Sequence, residues 1–264
     1  MLINPKKSLG QNWLTSTGAL DKIIQAGNIS KSDLVLEIGP GLGVLTQKLL
    51  DQGAKVVAVE KDARLISVLE AKFDSFIKTG QLTLIEGDIL ELEVKTLIKN
   101  NSYKLIANIP YYITGQIFKK FLSHDNQPDL LVLLVQKEVA DSITGHNSTN
   151  KTPKESILCL SVKVYGQPHY VATVKKGSFN PPPKVDSAIL LIDKISKDFF
   201  TDNKINEADF FDLIKKGFKS KRKLLKSNLE ITEEVLIHHK INPLARAEDL
   251  SLDEWNSLAK TILN

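Results

Sequence analysis

The segment Leu34-Val-Leu-Glu-Ile-Gly-Pro-Gly-Leu-Gly43 joins a short, mostly apolar run to a glycine-rich turn, and a helix-type segment over residues 44–50 follows directly. Such a run is typical of a strand that is covered on both faces. Glycines in the turn allow backbone N–H groups and a helix N-terminus to approach a ligand closely. The segment therefore predicts a strand, a turn and a helix, with a ligand site at the turn.

The spacing of the glycines limits the kind of ligand. The dinucleotide fingerprint is G-x-G-x-x-G, whereas this turn holds Gly39, Gly41 and Gly43, with Val44 where the third fingerprint glycine would stand. This spacing argues against a pyrophosphate ligand. A nicotinamide-dependent oxidoreductase remains only as an analogy between folds.

Further apolar runs alternate with helix-type segments beyond this turn, at residues 55–59, 82–85, 104–107 and 130–135. The alternation predicts a parallel sheet wrapped by helices. Two more strand-like runs, Ile157 to Tyr165 and Ala188 to Ile192, have no clear helix between them, so we expect an antiparallel pair at the end of the sheet. The polar segment from Gly145 to Glu155 predicts an exposed loop.

The pattern changes after about residue 194. From Glu207 onward the chain shows helical periodicity and no convincing strand, and four residues are expected on one helix face: Phe211, Ile214, Phe218 and Leu225. We therefore predict an α/β domain over residues 1–194 and a small all-α domain over residues 195–264.

Length and composition exclude several classes of protein. The chain has 264 residues, 42% hydrophobic and 25% charged, and its apolar runs are far shorter than the ~20 residues that span a bilayer. We therefore expect neither a disordered nor a membrane protein. One cysteine and five scattered histidines allow no disulfide and favour no zinc cluster, so we expect no metal site. The N-terminal residues lack the apolar core of a signal peptide, so we expect a cytoplasmic protein.

Acidic side chains follow the second and third predicted strands. Glu60 can accept hydrogen bonds from both hydroxyls of a ribose, and Asp88 can accept one from an adenine amino group while Ile89 packs on the ring. The alternatives are a solvated charge at Glu60 and a simple turn at Asp88. Glycine, acid and acid at three consecutive strand ends favour an adenosine site.

The fourth strand leads into Asn108-Ile109-Pro110-Tyr111. The exocyclic amine of adenine is a poor nucleophile, and the Asn108 side-chain carbonyl and the Pro110 backbone carbonyl can accept its two hydrogens and orient its lone pair. Tyr111 would stack on a base that has been taken out of its helix. The alternatives are an ordinary Asn-x-Pro turn and a tyrosine at the protein surface.

Basic residues are concentrated in one short stretch of a chain whose net charge is only +4. Seven of twelve residues are basic, with no acid among them: Lys215, Lys216, Lys219, Lys221, Arg222, Lys223 and Lys226. The stretch predicts a polyanion partner whose binding weakens with salt, rather than an ordinary solvated helix face.

The glycine turn and the two acids resemble the class I S-adenosylmethionine-dependent methyltransferases. The resemblance implies a Rossmann-like fold, mostly parallel with an antiparallel last strand pair, and S-adenosylmethionine as the methyl donor. It places Gly39 and Gly41 against the methionine part, Glu60 on the ribose and Asp88 at the adenine.

The resemblance narrows when residues 5–14, 108–111, 179–187 and 218–223 are taken together, because this set is similar to the KsgA/Dim-type ribosomal RNA adenine dimethyltransferases. This family implies additional donor contacts by Gln11, Asn12, Leu14 and Lys61. It also implies that Asn108 contacts both donor and acceptor, and that Phe179, before the three prolines 181–183, forms the opposite wall of the base pocket rather than a core anchor.

The same resemblance implies the substrate: two adjacent adenosines in a hairpin near the 3′ end of small-subunit ribosomal RNA, dimethylated late in assembly by a monomer. The erythromycin-resistance methylases of large-subunit RNA share much of the signature, but residues 218–223 and 246–251 are more similar to the KsgA side. Lys221 departs from the family's usual arginine pair and lacks a bidentate guanidinium. A nonenzymatic RNA-binding assembly factor is a further alternative.

Overall fold

The computed structural model describes residues 3–99, 101–146 and 154–263. Its strands are β1 (Trp13–Leu14), β2 (Leu34–Ile38), β3 (Lys55–Glu60), β4 (Leu82–Glu86), β5 (Lys104–Asn108), β6 (Leu130–Gln136), β7 (Gln167–Val174), β8 (Phe179–Asn180) and β9 (Ser187–Asp193). Seven of them form one sheet in the order β4-β3-β2-β5-β6-β9-β7, and β1 pairs with β8 in a separate ribbon.

The five predicted parallel strands are confirmed. β4, β3, β2, β5 and β6 pair in parallel with their neighbours, and β9 runs antiparallel to β6, with Leu131 opposite Ile192. Nearly every residue of the central strands is buried, which explains why their apolar runs show no alternation.

The helices of the first part of the chain are α1 (Thr17–Ala26), α2 (Val44–Asp51), α3 (Ala63–Lys78), α4 (Val94–Ile98), α5 (Thr114–Leu122) and α6 (Lys137–Thr144). The helices that follow are α7 (Ile157–Lys163), α8 (Asp198–Asn203), α9 (Glu207–Gly217), α10 (Leu225–Leu229), α11 (Glu233–His238) and α12 (Leu252–Ile262). Side-chain caps start several of them; the Asp62 carboxylate, for example, accepts the Arg64 N–H at the start of α3.

The chain divides into two compact units. The first consists of Met1–Ala140 and Pro168–Ile195, and the second of Asp141–Gln167 and Ser196–Asn264. The sequence analysis assigned residues 141–167 to the α/β domain. The described residues of this range, 141–146 and 154–167, fall in the second unit, where the Tyr165 ring packs against the rings of Phe200 and Phe211.

The strand predicted from Ile157 to Tyr165 is wrong, because this run forms α7. The Ser156 hydroxyl caps α7 by accepting the Cys159 N–H at 3.1 Å, and this cap outweighs the β-branched composition. The strand beside β9 is instead β7, a partly polar edge strand that contains Pro168. Residues 147–153 of the predicted loop lie outside the described residues.

The predicted helical face from Phe211 to Leu225 is correct only in part. On α9 the buried residues are Phe210, Leu213, Ile214 and Gly217, so Phe210 rather than Phe211 faces the core. Leu225 is buried as well, but it begins a separate helix, α10.

Candidate active site

A cavity of about 250 Å³ lies at the carboxyl ends of β2, β3, β4 and β5. In the sheet, β2 lies between β3 and β5, so the chain first adds strands on one side of β2 and then on the other. The crevice at the point where this direction reverses is the usual ligand site of an open parallel sheet. The cavity brings together these predicted site residues: Gln11, Asn12, Leu14, Gly39, Gly41, Glu60, Lys61, Asp88, Ile89, Asn108, Pro110 and Tyr111.

The glycine turn has positive φ at Gly39 (+68°), Gly41 (+59°) and Gly43 (+72°). A Cβ on Gly41 would lie 3.0 Å from the Trp13 indole, and one on Gly43 only 2.5 Å from the Phe73 ring. On Gly39 it would meet no atom closer than 3.9 Å. Gly41 and Gly43 are therefore required by packing, whereas Gly39 leaves open space in the cavity.

Glu60 ends β3 and is almost fully buried beneath this turn. Its Oε2 accepts the Gly41 N–H at 3.1 Å and its Oε1 accepts the Asp62 N–H at 2.8 Å. Burial raises the pKa of Glu60, although these N–H donors lower it. These bonds fix the carboxylate in position. Each of its oxygens keeps a lone pair that can accept a hydrogen bond from a hydroxyl group of a ligand.

Gln11 attaches the N-terminal segment to the end of β3. Its side-chain Nε2 donates to Asp62 Oδ2 at 2.9 Å, and its Oε1 accepts the Lys6 N–H at 2.7 Å. Arg64 also binds Asp62, through Nη2 at 2.6 Å, and holds the pKa of that carboxyl well below its usual range. Gln11 thus lines the cavity with both ends of its amide already engaged.

Asp88 follows β4 and forms an ion pair with Lys61, Nζ to Oδ2, at 2.5 Å. Its Oδ1 accepts the Leu90 N–H at 2.9 Å, so the turn predicted as the alternative is present. Partial burial raises the pKa of Asp88, but the Lys61 and Leu90 donors outweigh it and the net shift is downward. Ile89 beside it is buried and lines the same cavity.

Asn108 is the last residue of β5, where its side-chain Nδ2 donates to the Asn12 carbonyl oxygen at 3.1 Å. This bond leaves the Asn108 Oδ1 as the acceptor of the amide. The Pro110 carbonyl accepts the Ile113 N–H at 3.2 Å, which uses one of its two lone pairs. The two predicted acceptors therefore lie on one segment, each with capacity for a further hydrogen bond.

Tyr111 is half-buried, and its hydroxyl lies 2.6 Å from the hydroxyl of Ser187. Burial raises its pKa. The Tyr111 hydroxyl therefore has a protein partner, whereas the alternative of a surface tyrosine placed it in water. The next residue, Tyr112, is 65% exposed and also lines the cavity, although the sequence analysis did not select it.

Phe179 is placed away from the cavity. It lies in β8, opposite Leu14 of β1, and is only 4% exposed within the core of the first unit. The ring is a core anchor that supports β1 behind the cavity, which is the alternative that the sequence analysis set aside.

The sequence analysis missed two buried polar atoms of the cavity, one on Glu37 and one on Trp13. Glu37, 1% exposed, has an Oε2 with no hydrogen-bond partner in the described part of the chain, and the same holds for the Trp13 Nε1. Burial, reinforced by the nearby Glu60 carboxylate, raises the pKa of Glu37 to about 8. A charged residue inside an otherwise apolar strand was the available sequence signal for Glu37.

The basic stretch lies in the second unit and is more neutralised than its sequence indicates. Lys215 pairs with Asp212 at 2.9 Å, Lys216 with Glu230 at 3.1 Å, and Lys226 with Glu233. Across the described residues, no partner is found for four exposed cations in the loop between α9 and α10: Lys219, Lys221, Arg222 and Lys223. We call these four residues the loop cations.

The seven-stranded sheet, its antiparallel β9 and the cavity at the switch point define a class I, Rossmann-like methyltransferase fold. A family model described as ribosomal RNA adenine dimethylase matches residues 3–264. The chain therefore belongs to the ribosomal RNA adenine dimethylase family and is a methyltransferase, which excludes the oxidoreductase alternative.

Two curated relatives are named ribosomal RNA small subunit methyltransferase A. The protein from Dehalococcoides mccartyi is 40% identical over 265 residues, which cover 97% of this chain and 88% of the relative. The protein from Fusobacterium nucleatum is 38% identical over 263 residues, which cover 97% of this chain and 96% of the relative.

Two crystal structures share the fold. A dimethyladenosine transferase from Plasmodium falciparum aligns with a TM-score of 0.75 and 29% identity over 93% of this chain and 95% of that one. The 23S ribosomal RNA methyltransferase ErmE aligns with a TM-score of 0.74 over 96% of this chain and 100% of that one. Its sequence identity is 22%, so the alignment shows a shared fold alone.

The described residues contain no group of histidine, cysteine and acidic side chains that could hold a metal ion. Likewise, none of the described helices is long and apolar enough to cross a membrane.

Proposed function

We propose that this methyltransferase uses S-adenosylmethionine to dimethylate the exocyclic amines of two adjacent adenosines in a hairpin near the 3′ end of small-subunit ribosomal RNA. The observation that carries the proposal is that Asn108, Pro110 and Tyr111 line the same cavity as Glu60 and Asp88. A donor site and an amine-acceptor segment are therefore contiguous. The names of the two bacterial relatives support the small subunit as substrate.

The residues of the cavity fit an adenosine-containing donor that also carries an amino acid group. Glu60 would accept the ribose hydroxyls, and Asp88 the adenine amino group, beside the apolar side chain of Ile89. The unpartnered Glu37 Oε2 and Trp13 Nε1 provide a buried acceptor and a buried donor, which an ammonium and a carboxylate group would satisfy. When bound, the donor supplies a methyl group that its sulfonium already activates.

The protein's contribution to the reaction is positioning and electrostatics. In our proposal the Asn108 Oδ1 and the Pro110 carbonyl accept the two hydrogens of the target amine, so that its lone pair points toward the donor. The bond from Asn108 to the Asn12 carbonyl holds the amide in the required orientation. Tyr111 would stack on the extruded base, with its hydroxyl anchored by Ser187.

The loop cations would bind the phosphates of the substrate RNA. They are exposed, whereas Lys215 and Lys226, which the sequence analysis also selected, already have carboxylate partners. We further propose that the enzyme acts as a monomer in the cytoplasm, on a late precursor of the small subunit.

The decisive experiment offers labelled S-adenosylmethionine and two substrates, undermethylated small ribosomal subunits and free large-subunit RNA, and identifies the nucleosides after digestion. Dimethyladenosine in the small-subunit sample alone supports the proposal. Label in large-subunit RNA would assign the chain to the resistance-methylase activity instead. No label in either, with measurable donor binding, would favour a nonenzymatic binding role.

The donor site has its own test by calorimetry. Glu60→Ala should abolish donor binding, while unchanged affinity would remove Glu60 from the donor site. Glu86→Gln, at the end of the neighbouring strand β4 but not among the cavity residues, is the matched control and should bind the donor normally.

A further inference from the structure

A second cavity, of about 320 Å³, lies within the helical unit and is distinct from the catalytic one. Its lining includes Glu155, Ile157, Phe218, Lys221 and Glu248. Its volume falls at the lower end of the range for small-molecule sites, which suits a single nucleotide.

One wall carries a buried carboxyl oxygen that has no partner. The Glu155 side chain is only 8% exposed, its Oε1 pairs with Lys163, and its Oε2 has no hydrogen-bond partner among the described residues. The Glu155 backbone is fixed as well, because its N–H donates to the Glu248 carbonyl at 2.8 Å. A buried acceptor without a donor is costly unless a ligand supplies one, so this wall is suited to a ligand with N–H groups.

Of the remaining lining, one part is apolar and another part carries a positive charge. Phe218 stacks on Trp255 with ring centroids 6.0 Å apart and an interplanar angle of 22°, which holds its ring rigidly. Ile157 is 39% exposed and adds apolar surface. Lys221 is one of the loop cations, and the other carboxylate of the lining, Glu248, is already paired with Lys154. The ligand should therefore combine a flat apolar body, an edge of N–H donors and a negative charge.

We propose that this cavity binds an unpaired guanine nucleotide of the substrate RNA. Guanine presents two adjacent donors, N1–H and N2–H, to a carboxylate, whereas adenine, cytosine and uracil each place an acceptor beside the donor, and Glu155 would repel that acceptor. Phe218 supplies apolar contact to the base, and Lys221 binds its phosphate. The inference rests on the proposed action on RNA, and it adds a second point of recognition outside the catalytic cavity.

The test measures binding of the four nucleoside 5′-monophosphates to the full chain by methyl NMR. The Ile157 methyl group reports the second cavity and the Ile89 methyl group the catalytic one, so each site has its own signal. We expect guanosine monophosphate to shift Ile157 at a concentration at least about tenfold lower than the other three, the discrimination of one good base-edge contact. Methyl transfer is not involved, so failure here is separable from failure of the proposed function.

Variants identify the groups responsible. Glu155→Gln should weaken guanosine monophosphate binding about tenfold or more. Glu234→Gln, the matched control, removes an exposed carboxylate on α11 that is not among the lining residues of this cavity, and should retain affinity within about twofold. Should Glu155→Gln fail to fold, Lys221→Gln at the exposed loop should remove the preference for guanosine monophosphate over guanosine.

Three results would overturn the proposal. They are equal shifts at Ile157 with all four nucleotides, no shift with guanosine monophosphate, or a shift with an N-acetylarginine amide probe but not with nucleotides. The last result would assign the cavity to an arginine of a partner protein.

Discussion

Glu37→Gln tests a buried titratable group in the cavity at the strand ends. Glu37 lies in β2 directly before the glycine turn and is 1% exposed. Its burial beside the Glu60 carboxylate raises its pKa from an ordinary 4.5 to about 8. Glutamine keeps the size and shape of the side chain but cannot ionise.

The sign of the effect follows from linkage. A raised pKa means that the folded chain holds the proton more tightly than the unfolded chain, so this contribution to stability is complete below pH 4.5 and is lost as the pH rises through 8. Between pH 5.5 and pH 9 the loss amounts to about 3 kcal/mol. The unfolding free energy of the wild type, relative to the variant, should fall by that amount over this range.

Urea unfolding of both proteins at half-unit steps of pH measures this difference. Glu70→Gln, at an exposed position on α3, controls for the general effect of removing a carboxylate. The argument from burial predicts that the difference in unfolding free energy between wild type and variant changes with pH. It would be refuted if this difference changed by less than about 1 kcal/mol between pH 5.5 and pH 9, or if the wild type gained stability relative to the variant at high pH.

Three further perturbations follow from the structure. Gly43→Ala should destabilise the fold by about 2 kcal/mol more than Gly80→Ala in thermal unfolding, because both have φ above +70° but only at Gly43 would the new Cβ lie 2.5 Å from a ring of α3. Asn108→Ala should lower methyl transfer by about 100-fold while costing about 1 kcal/mol of stability; wild-type turnover would remove Asn108 from the mechanism. Lys223→Gln should reduce the slope of log affinity for RNA against log salt by about 0.9, and Lys215→Gln, whose cation is already paired, should leave the slope unchanged.

The sheet was predictable because its strands are buried on both faces. Covering helices on each side require continuous apolar residues, and residues 130–135 show this without any polar interruption. The strand ends were predictable for the same reason: a polar residue at or shortly after the end of such a run must lie near the carboxyl edge. That argument placed Glu60, Asp88 and Asn108 at strand ends, and all three line the cavity.

The prediction failed where local composition and tertiary context disagree. The run from Ile157 to Tyr165 is rich in strand-forming residues, yet a serine cap and burial of Cys159, Leu160 and Val162 on one side make it a helix. β7 was missed because an edge strand needs little apolar sequence. Ion pairs such as Lys226 with Glu233 depend on how helices pack, so no count of charges along the chain could find them.

The N-terminal segment links the proposed donor side of this cavity to the proposed acceptor segment. Gln11 is bonded to Asp62 beyond the end of β3, the Asn12 carbonyl holds the amide of Asn108 at the end of β5, and Trp13 packs on Gly41 of the glycine turn. Three consecutive residues thus connect three strand ends. Since the same segment contacts both the donor side and the acceptor segment, a displacement that loosens one also reorients the other. In the proposed reaction, the geometry of methyl transfer is therefore set by this segment together with the sheet.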